Sequence, residues 1–186
     1  PRFLLVSSLA ARKPDLSPYA ARKRRGEDVL AAAANELQWT VLRPPAVYGP
    51  GDRELLPLLR LMTRGIAPRV GPRTARFSLL YLDDLVQAAL HWLHSDRGWS
   101  QILTLHDGRE GGYSWMDVAD TIATLTGRRV LQFPVPPSLL RIPAMLNWLA
   151  AGILGYAPML TPGKVRELAH PQWVCDNKGI SAALGW

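Results

Sequence analysis

Tyr19 and Lys23 are the two residues whose types and spacing could do chemistry together. They lie four positions apart in Ser-Pro-Tyr-Ala-Ala-Arg-Lys, and residues at i and i+4 share one face of a helix. A free tyrosine has a pKa near ~10, but an adjacent ammonium favours the phenolate and lowers that pKa. The spacing alone leaves two interpretations open. The pair either transfers protons, or it is a half-buried aromatic beside a solvated cation.

The sequence around this pair predicts the strands and the helix that position it. A short apolar run predicts a parallel strand over Phe3–Ser7, and an alanine-rich, charged segment predicts a helix over 18–37. A second strand over Trp39–Arg43 ends at Pro44-Pro45, because proline cannot continue a β-ladder. A turn-rich loop is predicted over 46–52. Ligands of open α/β sheets bind beyond such strand ends.

The rest of the chain continues the alternation of strands and helices that is typical of an α/β fold. The predicted helices begin near capping residues: Asp83 or Asp84 before one helix, and Ser114 with Asp117 in a capping box before another. The predicted elements are a helix over 54–65, a strand over 76–82, a helix to His94, a strand over 101–105, a helix over 114–126, a strand over 130–135, and a helical remainder.

Composition narrows the class of protein. The chain has 186 residues, of which 48% are apolar and 20% charged, as expected for a globular protein. Its net charge of +7 suits a nucleic acid, a membrane surface or a phosphorylated ligand. The one dense basic cluster, Arg22–Arg25, lacks interleaved aromatic residues, so no specific nucleic-acid partner is predicted. A single cysteine, Cys175, excludes an internal disulfide and favours a reducing compartment, so we expect a cytoplasmic location.

Two further segments bear on membranes and metals. The most apolar stretch runs from Leu139 to Tyr156 and contains Arg141, which favours a buried or interfacial helix over a spanning one. Peripheral membrane contact is therefore left open. His91 and His94 lie three positions apart, but no third ligand stands at metal-binding spacing, so no metal site is predicted.

An ordered set of motifs identifies a family resemblance. The set consists of Ser7-Ser8 at a strand end, Tyr19-Ala-Ala-Arg-Lys23 with Glu27 four residues later, Arg43-Pro-Pro-Ala-Val-Tyr-Gly-Pro-Gly-Asp52, and Tyr81-Leu-Asp-Asp-Leu85. In this order the chain resembles the extended short-chain dehydrogenase/reductase family of NAD-dependent epimerases and dehydratases, in its C-terminal portion. The resemblance implies the C-terminal part of a Rossmann-like, doubly wound parallel sheet and a smaller, mostly helical substrate-binding region. The implied ranges are 1–105, with substrate-region segments near 50–75, and 106–186.

The resemblance also implies roles for individual residues. Tyr19 would be the acid/base group, and Lys23 would lower its pKa and hold the nicotinamide ribose. Ser8 would hydrogen-bond the reacting substrate oxygen, with Ser7 as the second candidate. The backbone of Pro45, Ala46 and Val47 would meet the nicotinamide carboxamide. As cations, Arg73 and Arg76 are weaker candidates for contacts with a substrate phosphate or carboxylate.

One expected motif is missing from the sequence. No Gly-x-Gly-x-x-Gly follows a strand, so the choice between NAD and NADP stays open. We expect the chain to be part of a longer protein or a truncated one. Without further strands, its sheet edge would favour association with another copy. The predicted function is an NAD(P)-dependent oxidoreductase or epimerase/dehydratase acting on a small molecule. The alternative is a non-catalytic nucleotide-binding or assembly module.

Overall fold

Parallel strands form the framework of the protein in a computed structural model, which describes residues 1–33, 37–156, 158 and 160–186. The strands are β1 Arg2–Val6, β2 Gln38–Arg43, β3 Ala46–Tyr48, β4 Ile66–Val70, β5 Arg76–Phe77, β6 Leu79–Tyr81, β7 Gln101–Thr104, β8 Leu131–Val135 and β9 Gln172–Trp173. The helices are α1 Pro18–Ala32, α2 Leu56–Thr63, α3 Leu82–His94, α4 Trp115–Thr126, α5 Pro137–Leu154, α6 Pro162–Ala169 and α7 Lys178–Leu184. The predicted α/β class is confirmed.

The chain forms two compact units. Unit 1 comprises Pro1–Gly51, Phe77–Gly112 and Trp173–Trp186, and unit 2 comprises Asp52–Arg76 and Tyr113–Gln172. The boundaries of these units differ from the predicted range 106–186 at both ends, and the assignment of that range to a substrate-binding region stays a prediction. The physical reason at the C-terminus is that α7 places Ile180 and Leu184 in the hydrophobic core of unit 1.

Unit 1 is built on a three-stranded sheet with the order β1-β2-β7, in which both neighbouring pairs are parallel. Leu42 of β2 and Leu103 of β7 are buried in its main core. On the other side of β2, Val41 and Trp39 pack with Leu30 of α1. The alternation of Val41 and Leu42 between two clusters follows from the two-residue period of a strand.

Strand β1 is one of the two edge strands of this sheet, and β7 is the other. The β1 side chains Phe3 and Val6 are 46% and 42% exposed, although the sequence predicts a strand covered on both faces. Burial on both faces needs packed elements on each side and does not follow from an apolar run alone. Association through this edge stays a prediction.

Unit 2 has a smaller core, in which Met62 of α2 and Ala67 of β4 pack with Ala119 and Ile122 of α4. Its sheet is the parallel pair of β4 and β8. The strand β4 was not predicted, because Pro68 interrupts the pattern of a strand. A two-stranded sheet tolerates this proline because both of its strands are edges.

Several predicted boundaries need correction. The predicted loop over 46–52 begins with strand β3, whose residues pair in parallel with Leu79–Tyr81. The predicted helix over 54–65 begins at Leu56, because the Asp52 carboxylate accepts hydrogen bonds from the amides of Glu54 and Leu55 and closes a turn first. The last residues of the predicted helix over 18–37 include 34–36, which lie outside the described residues.

Helix starts show where cap prediction succeeds and fails. At α4, Ser114 and Asp117 form the predicted capping box, with the Asp117 amide donating to Ser114 Oγ at 3.1 Å. Neither Asp83 nor Asp84 caps α3. Both lie within its first turn, and the cap position is Tyr81, which has no side-chain cap hydrogen bond. The two carboxylates still suit the positive end of the helix dipole.

Candidate functional site

Helix α1 positions the candidate chemical pair from its first turn. Ser17 caps the helix by accepting a hydrogen bond from the Ala20 amide at 2.9 Å, and Pro18 occupies the first turn, where its missing amide costs least. Tyr19 therefore lies in the first turn and Lys23 one turn later. The Lys23 Nζ lies 5.8 Å from the centre of the Tyr19 ring.

A main-chain bond fixes Lys23 to the end of the sheet. Its Nζ donates to the carbonyl oxygen of Val6, the last residue of β1, at 3.1 Å. An ammonium has three donors, so this bond does not exhaust its capacity. The Tyr19 side chain is 49% exposed, which leaves its ring open to a ligand. The pair therefore stands at the carboxyl end of the parallel sheet, where ligands of such folds bind.

The two candidate serines have different surroundings. Ser7 is buried, and its hydroxyl donates to Glu27 Oε1. Ser8 is half-buried, and its Oγ accepts a hydrogen bond from the Ala10 amide at 3.2 Å. That bond uses a lone pair and leaves the Ser8 hydroxyl proton available. The geometry therefore favours Ser8 over Ser7 as a donor to a bound oxygen.

A buried polar cluster beneath the site was not assigned a role from the sequence. Glu27 is 2% exposed and accepts hydrogen bonds from Ser7 and from Arg43 Nε, the latter at 2.9 Å. A second bond joins Arg43 Nη2 to Glu27 Oε2. The cluster joins α1 to the ends of β1 and β2. The sequence signal was the row Tyr19, Lys23, Glu27 at steps of four, which places all three on one helix face.

The candidate cofactor segment adjoins the loop that carries Ser8. The Leu9 amide donates to the Pro44 carbonyl at 2.8 Å, so the segments after β1 and β2 run together. Among the described residues, β3 pairs only with β6. On the side of β3 that faces β6, the backbone groups of Ala46 and Val47 are therefore used in strand pairing. The backbone groups on the opposite side of β3 point away from the ladder. Their predicted role, like that of Pro45, stays a prediction.

Tyr48 is a second tyrosine in this part of unit 1, and its surroundings disfavour the phenolate that a general base would need. Burial raises the pKa of Tyr48, and the carboxylates of Asp107 and Asp84 raise it further. Its ring packs at 5.4 Å between centroids against Tyr81. Tyr48 is therefore a neutral phenol near pH 7, poorly suited to accept a proton.

The candidate substrate arginines lie in unit 2, whereas Ser8, Tyr19 and Lys23 lie in unit 1. Arg73 is exposed in a turn, and Arg76 opens β5, its backbone amide bonding to the Pro171 carbonyl at 2.9 Å. Their contact with substrate stays a prediction. In the part of the chain that the structure describes, no group of three or more His, Cys, Asp or Glu residues could hold a metal ion.

The sequence has relatives among characterised proteins. It is 35% identical over 190 residues to the ceramide reductase of Caulobacter vibrioides, covering 99% of this chain and 58% of that protein. It is 27% identical over 122 residues to the UDP-glucose 4-epimerase of Vibrio cholerae, covering 63% of this chain and 37% of the relative. The chain thus spans little more than half the length of the ceramide reductase and well under half that of the epimerase.

The fold also has counterparts among solved structures. MoeE5 in complex with UDP-glucuronic acid and NAD matches 100% of this chain and 58% of its own, with a TM-score of 0.70 and 21% identity. The UDP-glucose 4-epimerase of Thermotoga maritima, solved with UDP-glucose, matches 100% of this chain and 57% of its own, with a TM-score of 0.66 and 20% identity. At these identities the likeness shows a shared Rossmann-like fold.

The family assignment comes from the segment that contains the site. Residues 7–103 match the sequence model of the NAD dependent epimerase/dehydratase family. The matched segment begins at the buried serine and includes Ser8, Tyr19, Lys23 and the Pro45–Val47 segment. It covers more than half of the chain. This protein therefore belongs to the NAD dependent epimerase/dehydratase family, within the extended short-chain dehydrogenases/reductases.

Proposed function

We propose that this chain carries the proton-transfer site of an NAD(P)-dependent carbonyl reductase that acts on a lipid ketone of the ceramide class. The observation that carries the proposal is the anchoring of Lys23 at the end of β1, 5.8 Å from the exposed Tyr19 ring. The substrate class rests on the similarity to the ceramide reductase, which extends over 99% of the chain.

The residues present fit a nicotinamide cofactor on its reactive side. Lys23 keeps donors for ribose hydroxyls beyond its bond to Val6, and β3 offers outward backbone groups at Ala46 and Val47 for a carboxamide. A bound reduced nicotinamide supplies a hydride to the carbonyl carbon. NAD is the cofactor named with MoeE5, and NADP remains an alternative for this chain.

The protein's own contribution is position and a proton. Tyr19 donates its phenolic proton to the substrate oxygen as the carbonyl becomes an alcohol, and Ser8 donates a hydrogen bond to the same oxygen. Lys23 holds its ammonium 5.8 Å from the ring that carries the Tyr19 hydroxyl. Glu27 and Arg43 act through Ser7 and α1 to hold this arrangement. Such proton transfer is worth about 10²–10⁴-fold in rate.

The test is made on the intact protein with a keto lipid of the ceramide class and NADH or NADPH. Tyr19→Phe should lower kcat by about 10²-fold or more while cofactor binding persists, because the ring stays and only the proton is lost. Lys23→Met should also lower kcat, because it removes the ammonium beside Tyr19; Lys13→Met, which removes an exposed cation, is its matched control. Undiminished turnover of Tyr19→Phe would refute the assignment.

The serine assignment has its own comparison. Ser8→Ala should lower kcat, whereas Ser7→Ala should mainly lower stability, because Ser7 donates into the buried cluster.

Alternative functions give different results in the same assays. Epimerisation of UDP-glucose without ketone reduction would favour the activity named for the Vibrio cholerae relative, a UDP-glucose 4-epimerase. If the intact protein turns over neither substrate, the result favours the alternative of a non-catalytic nucleotide-binding or assembly module, and cofactor binding separates the two forms of that alternative. A cytoplasmic location is part of the proposal, in keeping with the single buried thiol.

A further inference from the structure

Helix α5 turns its large apolar side chains outward. It is the one helix in the described part of the chain long and apolar enough to cross a membrane by length and composition, yet only 11% of its 18-residue window is buried. A core helix of the same composition would be mostly buried. The exposed side chains include those of Ile142 at 70%, Leu146 at 62% and Ile153 at 85%.

The inward face of α5 is narrow and, apart from the half-buried Leu140 at its start, carries small or polar residues. Ala144 and Ala151 are buried, and the amide of Asn147 between them donates to the Leu160 carbonyl at 2.9 Å. These positions follow steps of three and four, which is one helical stripe. Helix α5 packs against α6 within unit 2. The fold therefore uses the side of α5 that has the least apolar surface to bury.

The outward face is wider than a dimerisation seam. Leu139, Ile142, Leu146, Leu149 and Ile153 form a row at steps of three and four, and all are at least half exposed. Exposed Met145 lies beside this row and widens the band to roughly 120° of the helix surface, at 3.6 residues per turn. A coiled-coil seam occupies a narrower stripe. Trp148, which is 53% exposed, lies about 60° beyond Met145 at the border of this band and belongs to a residue type enriched at membrane interfaces.

The net positive charge of unit 2 indicates which kind of partner binds the outward face of α5. Unit 2 holds 11 of the 22 Lys and Arg residues but only 5 of the 15 Asp and Glu residues, so it carries +6 of the net +7. Two copies brought together through unit 2 would repel each other, whereas an anionic surface would attract it. Apolar side chains on a cationic unit are the combination that binds anionic lipid.

We infer that α5 docks this protein on the surface of an anionic lipid bilayer, with its outward row of leucines and isoleucines inserted among the acyl chains. Because Ala144 and Ala151 face protein, the helix lies in the plane of the interface and does not span the bilayer. Arg141, the one charged residue of α5, can direct its guanidinium toward the headgroups. The inference concerns unit 2 and stands independently of the reaction at Tyr19.

Vesicle co-sedimentation of the purified protein tests this assignment. The vesicles are phosphatidylcholine with and without phosphatidylglycerol, each at low and high salt. We expect binding to the anionic vesicles that falls about tenfold or more in high salt, because screening weakens the attraction of unit 2. Ile142→Glu with Leu146→Glu should remove this binding while circular dichroism shows an unchanged fold, because both side chains are exposed.

The matched control makes the same kind of double substitution in unit 1. Val29→Glu with Leu93→Glu replaces two apolar residues that are 64% and 55% exposed and changes the charge equally. This control should lose less than about threefold in binding, since both substitutions lie in unit 1 and leave the outward face of α5 unchanged. Equal losses in both double variants, or retained binding in the α5 variant, would overturn the inference.

Tryptophan fluorescence gives a second readout. Brominated lipids should quench the emission of the wild-type protein, and Trp148→Phe should remove most of that quenching. Absence of quenching would contradict insertion of α5. If the wild-type protein ignores vesicles and instead forms a dimer that Ile142→Glu with Leu146→Glu dissociates, a second copy covers this face and the lipid assignment is wrong. Tyr19→Phe should bind vesicles like the wild type, which separates this result from the catalytic proposal.

Discussion

The two units place polar and apolar side chains in opposite ways. Unit 1 buries the carboxylate of Glu27 and satisfies it with Ser7 and Arg43 beneath the candidate site. Unit 2 exposes a row of large aliphatic residues on α5 and carries most of the net charge. A buried polar cluster fixes the positions of chemical groups, whereas an exposed apolar row makes a contact surface. The difference is the basis for proposing chemistry in unit 1 and docking in unit 2.

The largest expected effect tests the buried cluster of unit 1. Glu27→Ala should lower the free energy of unfolding by about 3–5 kcal/mol, because Arg43 keeps its charge in a half-buried position without its partner. Urea denaturation followed by circular dichroism measures this loss. Asp28→Ala is the matched control, because it breaks the exposed Arg24–Asp28 pair on the same helix and should cost less than about 0.5 kcal/mol. Equal costs would mean that the Glu27 cluster has no special role.

A second pair of variants compares the same substitution in the two units. Leu80→Ala removes a fully buried side chain from the core of unit 1 and should cost about 2–5 kcal/mol. Leu146→Ala removes a side chain that is 62% exposed on α5 and should change stability by no more than about 0.5 kcal/mol in lipid-free buffer. The midpoints of thermal unfolding provide the measurement. A large loss for Leu146→Ala would show that α5 is covered by protein.

The smallest expected effect concerns the thiol of unit 1. Burial raises the pKa of Cys175, whose Sγ donates to the Leu105 carbonyl at 3.4 Å. The folded state therefore keeps the thiol proton to higher pH than the unfolded state. Its contribution to stability is complete below the unfolded thiol's pKa and is lost as pH rises through the folded one.

Alkylation by iodoacetamide measures the same property. At pH 8 the native protein should react at least about tenfold more slowly than the urea-unfolded chain, because both thiolate content and access are reduced. Cys175→Ala identifies any background reaction. Equal native and unfolded rates would show that this part of unit 1 opens readily, and would weaken the contrast with unit 2.

Local patterns predicted much of the fold. Apolar runs located β1, β2 and β7, and the Ser114–Asp117 spacing located the start of α4. The strands β3 and β4 were not predicted, because turn residues and Pro68 hide a strand whose partner is distant in sequence. The exposed face of α5 also needed the structure, since an apolar helix has the same sequence whether it is buried or exposed.

The candidate site divides in the same way. The i, i+4 spacing of Tyr19 and Lys23 is a local property and was visible in the sequence. The family resemblance ranks Ser8 above Ser7, but the physical reason was not visible in the sequence, because it depends on Glu27, twenty residues away from Ser7. Arg43 joins the same carboxylate from β2. Contacts between separate elements decide these roles, and only the folded chain supplies them.

The atom that holds Lys23 belongs to the main chain. A carbonyl oxygen is present whichever amino acid occupies position 6, and the Val6 side chain is itself 42% exposed. Replacing the side chain at position 6 should therefore leave this hydrogen bond in place, provided that β1 keeps its backbone path. Related sequences can carry other amino acids at position 6 without displacing the Lys23 ammonium, whereas a proline inserted into β1 would disturb the position of that ammonium. The site thus combines a strict requirement at Lys23 with freedom in the residue that anchors it.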